Sequence, residues 1–218
     1  MPAVRDSRSS GAPSQPPPVP YRSELIRKAL HVVTALIVPA FMLHLPAPVS
    51  RSLLLLGAAI GLTADGVRAF VPSVNRFIRR IFGPIMRAEE LPAVGSGLSI
   101  NGATSVLVGA ALLSVLFPMP LAAAVLAAVL VADAAAALVG RRWGRHPWPG
   151  TAHTVEGSIA FLVVGAIVWA LVSGSPVYIG LPGLAVAAIV EALPLPINDN
   201  ISVPLVACGV LFALGLGI

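Results

Sequence analysis

The sequence predicts an all-α, polytopic integral membrane protein of about seven transmembrane helices plus one interfacial amphipathic helix. Three observations carry that prediction. Apolar residues make up 57% of the chain and charged residues 11%, with a mean hydropathy of +0.92, far from the roughly 25% charged residues of soluble domains. Windows long enough to cross a bilayer, about 20 residues each, recur between clusters of Pro, Gly and charge. Lys and Arg concentrate in alternate connections, as they do when successive spans run in opposite directions.

Taken in order, residues 1–20 hold Pro2, Pro13, Pro16, Pro17, Pro18 and Pro20 among Ser, Arg and Gly, with no apolar run. They predict a disordered cytoplasmic tail and not a signal peptide. Residues 21–218 follow as a single transmembrane domain, with spans near 29–45, 50–70, 99–117, 120–140, 157–173, 177–193 and 201–218. Between the second and third spans, over 72–88, Val74, Phe77, Ile78, Ile81, Phe82 and Ile85 recur at i, i+3, i+4 spacing, and Arg76, Arg79 and Arg80 take the other face. That pattern suits a helix lying in the inner-leaflet interface, bent at Gly83-Pro84. Gly57 and Gly61 form a GxxxG, a signal for close helix packing within the chain or between chains. The single Cys208, inside the last apolar run, excludes a disulfide framework and a Cys-based zinc site.

Five basic residues precede the first span (Arg5, Arg8, Arg22, Arg27, Lys28), and five more follow the second (Arg68, Arg76, Arg79, Arg80, Arg87). Arg141, Arg142 and Arg145 fall in the fourth connection, and Arg51 stands by itself in the first. The positive-inside rule then places the N-terminus in the cytoplasm and the C-terminus outside, in a bacterial-type inner or plasma membrane. In that orientation Glu24, Asp65, Glu89, Glu90, Glu156 and Asp199 lie in or beside cytoplasmic segments, and Asp133 and Glu191 in the cytoplasmic halves of their helices. A carboxylate at the centre of a membrane helix costs about 2.5–3.5 kcal/mol on insertion scales, so such residues mark sites. The basic pI of about 10.7 comes without interleaved aromatic and basic residues, which excludes nucleic acid and favours anionic lipid and nucleotide phosphate as partners.

Four segments carry chemistry. Glu24, Arg27, Lys28 and His31 cluster at the cytoplasmic mouth of the first span, where the cations serve either as anchors or as phosphate ligands. Asp133 lies eight residues before Arg141, roughly 12 Å along a helix, and is flanked by alanines that admit a close neighbour. Thr154, Glu156, Gly157 and Ser158 open the next helix, whose N-terminal N–H groups suit phosphate unless Thr154 merely caps them. Glu191, Pro194, Pro196, Asn198, Asp199 and Asn200 break one helix and open the last, presenting oxygens to a hard cation or forming a simple turn. No P-loop, HExxH or GxSxG occurs, and Gly95-Ser-Gly97 lacks the third glycine of a dinucleotide loop.

In this order and spacing, E-x-x-R-K-x-x-H (Glu24 to His31), D-x-x-A-x-x-x-G-R-x-x-G (Asp133 to Gly144), T-x-E-G-S (Thr154 to Ser158) and E-A through D-N-x-x-x-P (Glu191 to Pro204) resemble the CTP-dependent lipid kinases. That group contains dolichol kinase, phytol kinase and a yeast-type diacylglycerol kinase. The resemblance takes in the Arg87, Glu89, Glu90 stretch and Asn101-Gly102, and runs from Glu24 to the C-terminus. It implies phosphorylation of a membrane lipid alcohol, of polyprenol, dolichol, phytol or geranylgeraniol type with diacylglycerol as the alternative, by CTP with Mg²⁺ or another divalent cation. It also implies roles: Arg27, Lys28 and Asp133 catalytic; Gly140, Arg141, Arg145, His153, Thr154, Glu156, Gly157 and Asn200 at the nucleotide; Asp133, Glu156 and Asp199 at the metal. Glu24, His31, Arg87, Glu90, Asn101 and Glu191 are further polar candidates. The family has Lys where this chain has His153, which is only partly charged near neutral pH and so weakens a phosphate contact or passes it to Arg141 or Arg145.

Phosphatidate cytidylyltransferases resemble the chain around Asp133 and the T-x-E-G loop, but their later K-D, P-G-H-G-G and D-R signature is absent. Asp65-Gly66 opens like a CDP-alcohol phosphotransferase motif, yet no G-x-x-x-D-x-x-x-D follows. A transporter would carry ionisable groups near the midplane of broken, repeated helices, and no internal repeat is present.

Overall fold

The computed structural model describes residues 21–83, 86, 90–91, 93–95 and 97–216, with the backbone alone for 21–28, 30 and 31. The expected tail, Arg87 and Glu89 lie outside the described residues, as do the side chains of Glu24, Arg27, Lys28 and His31. Eight helices follow one another among the described residues: α1 (Tyr21–His44), α2 (Ala47–Phe70), α3 (Pro72–Phe82), α4 (Gly102–Leu116), α5 (Met119–Trp143), α6 (Val155–Ser173), α7 (Val177–Ala192) and α8 (Asp199–Ala213). The described residues contain no strand, only an isolated antiparallel bridge between Pro147 and Thr154.

Each of the seven apolar windows is helical, and local chemistry moves their ends. Asn101 accepts the Thr104 N–H at its side chain and starts α4 at Gly102, later than expected. Helix α8 closes at Ala213, short of residue 218, because Gly215 adopts φ 67° and the Gly215 and Leu216 amides fold back onto the Phe212 and Leu211 carbonyls. The amphipathic helix runs from Pro72 to Phe82 with Phe77, Ile81 and Phe82 exposed along it, and Pro84, Ile85, Arg87 and Ala88 of the expected 72–88 lie outside the described residues. Ala47–Phe70, Met119–Trp143 and Val155–Ser173 are long and apolar enough to cross a bilayer; Gly102–Leu116, Val177–Ala192 and Asp199–Ala213 form shorter apolar helices, and α1 is apolar over Val32–His44, the part of it whose side chains are described. The chain is a helical membrane protein.

Helix α5 is the axis. It is apolar all round, and every residue from Leu121 to Leu130 is buried, as expected of a helix surrounded by others. It packs on α6 most extensively and also meets α1, α8 and α4, while α2 with α4 and α7 with α8 complete the bundle. Large side chains on the peripheral helices, among them Leu36, Leu56, Ile60, Val163 and Leu171, remain exposed as a lipid-facing surface. The GxxxG is internal: a Cβ at Gly61 would lie 2.9 Å from Thr104 Oγ1, so α2 and α4 meet at the glycine. At Gly109 of α4 an added Cβ would lie 2.4 Å from the Asn200 carbonyl, which seats the first turn of α8 directly on α4.

Candidate active site

The connection between α5 and α6 folds back on itself. The Val155 amide donates to the His146 carbonyl and the Trp148 amide to the His153 carbonyl, both at 2.9 Å, with Gly150 at φ 75° in the turn. Trp148 Nε1 donates to Ser158 Oγ at 3.0 Å, fixing this loop to the first turn of α6. Glycines let the two helices meet beneath it. A Cβ at Gly140 would lie 2.9 Å from Thr154 Oγ1, and one at Gly157 3.0 Å from the Ala136 carbonyl. The glycines expected at a nucleotide thus sit in a helix contact organised around Thr154.

At the N-terminus of α6 the capping arrangement is formed: Thr154 Oγ1 accepts the Gly157 amide at 3.1 Å, and the Val155 and Ser158 amides donate to the His146 and Thr154 carbonyls. The capping role of Thr154 accounts for its place in the sequence. One correction concerns Glu156, whose Oε1 lies 2.6 Å from Nδ1 of the exposed His146. Asp133, Glu156 and Asp199 therefore do not gather as the expected three-carboxylate metal set, and no group of three or more His, Cys, Asp or Glu is disposed around a metal ion among the described residues.

What the fold does assemble centres on His153. Its Nδ1 lies 2.9 Å from Oε1 of Glu191, which is buried at the end of α7. Asp199 and Asp133 are near enough to act on the same imidazole electrostatically. The hydrogen bond to Glu191, reinforced by the fields of Glu191, Asp199 and Asp133, raises the His153 pKa above 6.5 despite partial burial. His153 therefore carries more positive charge near neutral pH than a free histidine. A cleft of about 520 Å³ opens beside it, lined by residues 150–153 and 193–199, within the size range of small-molecule sites. Arg141 and Arg145 are exposed at the end of α5 and just beyond it, and Arg27 and Lys28 fall in the opening turns of α1.

The raised pKa has a definite sign. A histidine held above its unfolded value stabilises the fold fully below that value, near 6.5, and the contribution fades as pH rises through the raised folded pKa. The melting temperature of the wild type should exceed that of His153→Gln at pH 6 and approach it toward pH 9. A gap that is constant or widens with pH contradicts the pairing with Glu191.

A second constellation lies on the other side of the α8 N-terminus, and sequence reasoning missed its centre. Asp65 Oδ1 and Arg68 Nε pair at 2.8 Å, both side chains buried. Arg68 donates to the Glu90 carbonyl at 2.8 Å and the Ser99 carbonyl at 2.7 Å, and Arg79 donates to the Leu91 carbonyl. Asn101 gives its backbone amide to Asp65 Oδ2 at 3.0 Å and its Nδ2 to both carboxylate oxygens. Glu90 Oε1 accepts the Gly102 amide at 2.9 Å, and Asn200 Nδ2 donates to the Gly102 carbonyl at 3.4 Å. The available signal was an Asp and an Arg at i, i+3 in the last turns of an apolar helix. At the opposite end of the bundle, Arg51 Nε donates to the Ser114 carbonyl at 2.9 Å near the end of α4.

Among curated proteins, the chain is 29% identical over 192 residues to an uncharacterised protein of Rickettsia prowazekii (strain Madrid E), covering 84% of this chain and 90% of that protein. It is 26% identical over 211 residues to CTP-dependent diacylglycerol kinase 1 of Schizosaccharomyces pombe, covering 88% of this chain and 93% of that kinase. No family model matches the chain. No solved structure matches it either.

Proposed function

We propose that the chain is a CTP-dependent lipid kinase, which moves the γ-phosphoryl group of CTP to the hydroxyl of a membrane lipid alcohol and releases CDP and the lipid monophosphate. One observation carries the reading: the His153–Glu191 pair and Asp199 stand together at one polar cleft, and the Asp133 charge acts on the same imidazole. Similarity to the fission-yeast kinase over nearly the whole chain supports the same reaction.

Phosphoryl transfer asks a protein mainly for positioning and charge neutralisation. In this reading Arg27, Lys28, Arg141, Arg145 and protonated His153 hold the nucleotide phosphates, and Asp133 accepts the proton of the attacking hydroxyl. The bond between the γ-phosphorus and the β,γ-bridging oxygen breaks as the lipid oxygen bonds to the γ-phosphorus, and CDP keeps that oxygen and its electron pair. Mg²⁺ needs only one or two carboxylates besides substrate phosphates. Asp133 and Asp199 fit that requirement, and a divalent cation held there supplies neutralisation of phosphate charge. Residues 21–218 act as one seven-span unit with the N-terminus and the cleft on the cytoplasmic side and the C-terminus outside. The lipid tail stays in the bilayer and enters between helices.

The acceptor follows two readings. An isoprenoid alcohol is the expectation from the sequence, and diacylglycerol is favoured by the similarity to the yeast kinase. Purified protein incubated with γ-labelled CTP or ATP and a panel of polyprenol, phytol, geranylgeraniol and diacylglycerol is expected to label lipid from CTP. Label entering lipid from ATP but not CTP refutes the nucleotide assignment, and nucleotide-independent solute uptake into proteoliposomes without labelled lipid refutes the kinase.

A further inference from the structure

We infer that Asp65, Arg68 and Asn101 are positioning residues that set the register of the α8 N-terminus, and with it Asp199, against the cleft; the inference rests on the kinase reading for its kinetic consequence. The bonds form a closed circuit. Asp65 holds Arg68 and Asn101; Arg68 holds the Glu90 carbonyl; the Glu90 carboxylate holds the Gly102 amide, next to Asn101 in the chain. Both main-chain groups of Gly102 are then engaged, since its carbonyl accepts Asn200 Nδ2.

The circuit reaches α8 by two routes. One is the Asn200 side chain at 3.4 Å, the longer link. The other is steric: the Asn200 carbonyl rests where Gly109 has no side chain, so α8 can neither approach nor slide without meeting α4. Asp199 precedes Asn200 and lines the cleft, so any shift of this turn changes its distance from His153. Asp199 opens α8 at the cleft, and a misplacement of a catalytic group by about 1 Å can cost on the order of 10²-fold in rate. The buried ion pair, costly to desolvate, supplies a rigid reference far from the reacting atoms. Asn200, expected at the nucleotide, acts in this account as the link between the circuit and the site.

Two substitutions separate this role from simple stability. Asn101→Ser keeps an oxygen to cap α4 and removes the Nδ2 donations to Asp65. Asn200→Ala removes the bond to Gly102 and leaves the circuit intact. Each is expected to lower kcat about tenfold while KM for CTP and for the lipid changes less than about twofold and the melting temperature stays near wild type; the double variant should be no slower than the worse single. Hydrogen exchange on nucleotide-free protein should show faster exchange at the Ile201 and Ser202 amides in both variants, with the α5–α6 loop unchanged. An unaltered kcat, additive losses in the double variant, or unaltered exchange overturns the inference. A wild type without CTP-dependent transfer overturns the kinase reading, and the exchange experiment still decides the positioning of α8.

Discussion

Asp133→Asn should lower phosphoryl transfer from CTP by about 10³-fold, within the 10²–10⁴ range typical of removing a general base, with the melting temperature close to wild type. The substitution preserves shape and removes one charge. Asp133 lies half-buried in α5, seven residues before the Gly140 contact with Thr154, in the helix on which α1, α4, α6 and α8 pack. That setting holds the carboxylate still while its field reaches His153. Loss of the charge removes both the proton acceptor and one of the two carboxylates suited to a divalent cation. Single-turnover transfer from γ-labelled CTP is the measurement, and an unimpaired Asp133→Asn moves the chemistry to another site.

Arg68→Met should be the most destabilising single change in the molecule. Removing one partner of a buried pair leaves an uncompensated charge and costs about 3–5 kcal/mol. In this chain it leaves the Asp65 carboxylate without its cation and takes one donor from each of the Glu90 and Ser99 carbonyls. The expected result is loss of most folded protein from detergent extracts, followed by size-exclusion and thermal scans. Combining it with Asp65→Asn removes the stranded charge, and the double variant should recover part of the loss. If Arg68→Met by itself melts within a few degrees of wild type, the pair is not the anchor of the α2 end, and the register of α8 needs another support.

These two variants differ in how visible their residues were beforehand. Asp133 stands out in the sequence, because a carboxylate within an apolar alanine-rich run is costly to insert and calls for a partner. Asp65 and Arg68 looked like charges at a span edge, where exposure to water is the ordinary outcome. Their burial depends on Asn101, more than thirty residues away, turning back to meet them. The α6 N-terminus shows the reverse case: T-x-E-G-S fits both an open phosphate site and a capped helix, and the Thr154 hydroxyl on the Gly157 amide chose the cap.

Composition and hydropathic spacing by themselves determined that this is a helical membrane protein, where its apolar windows lie, and that a short basic amphipathic helix follows the second of them. Those properties arise from the cost of exposing apolar surface and unpaired backbone groups, which each window meets locally. Only the tertiary structure decided which charges meet. His153 joins Glu191, Glu156 turns away to His146, and Asn200 reaches Gly102, because pairing across the bundle is set by helix packing at Gly61, Gly109 and Gly140, where backbones come close enough for distant side chains to share one pocket.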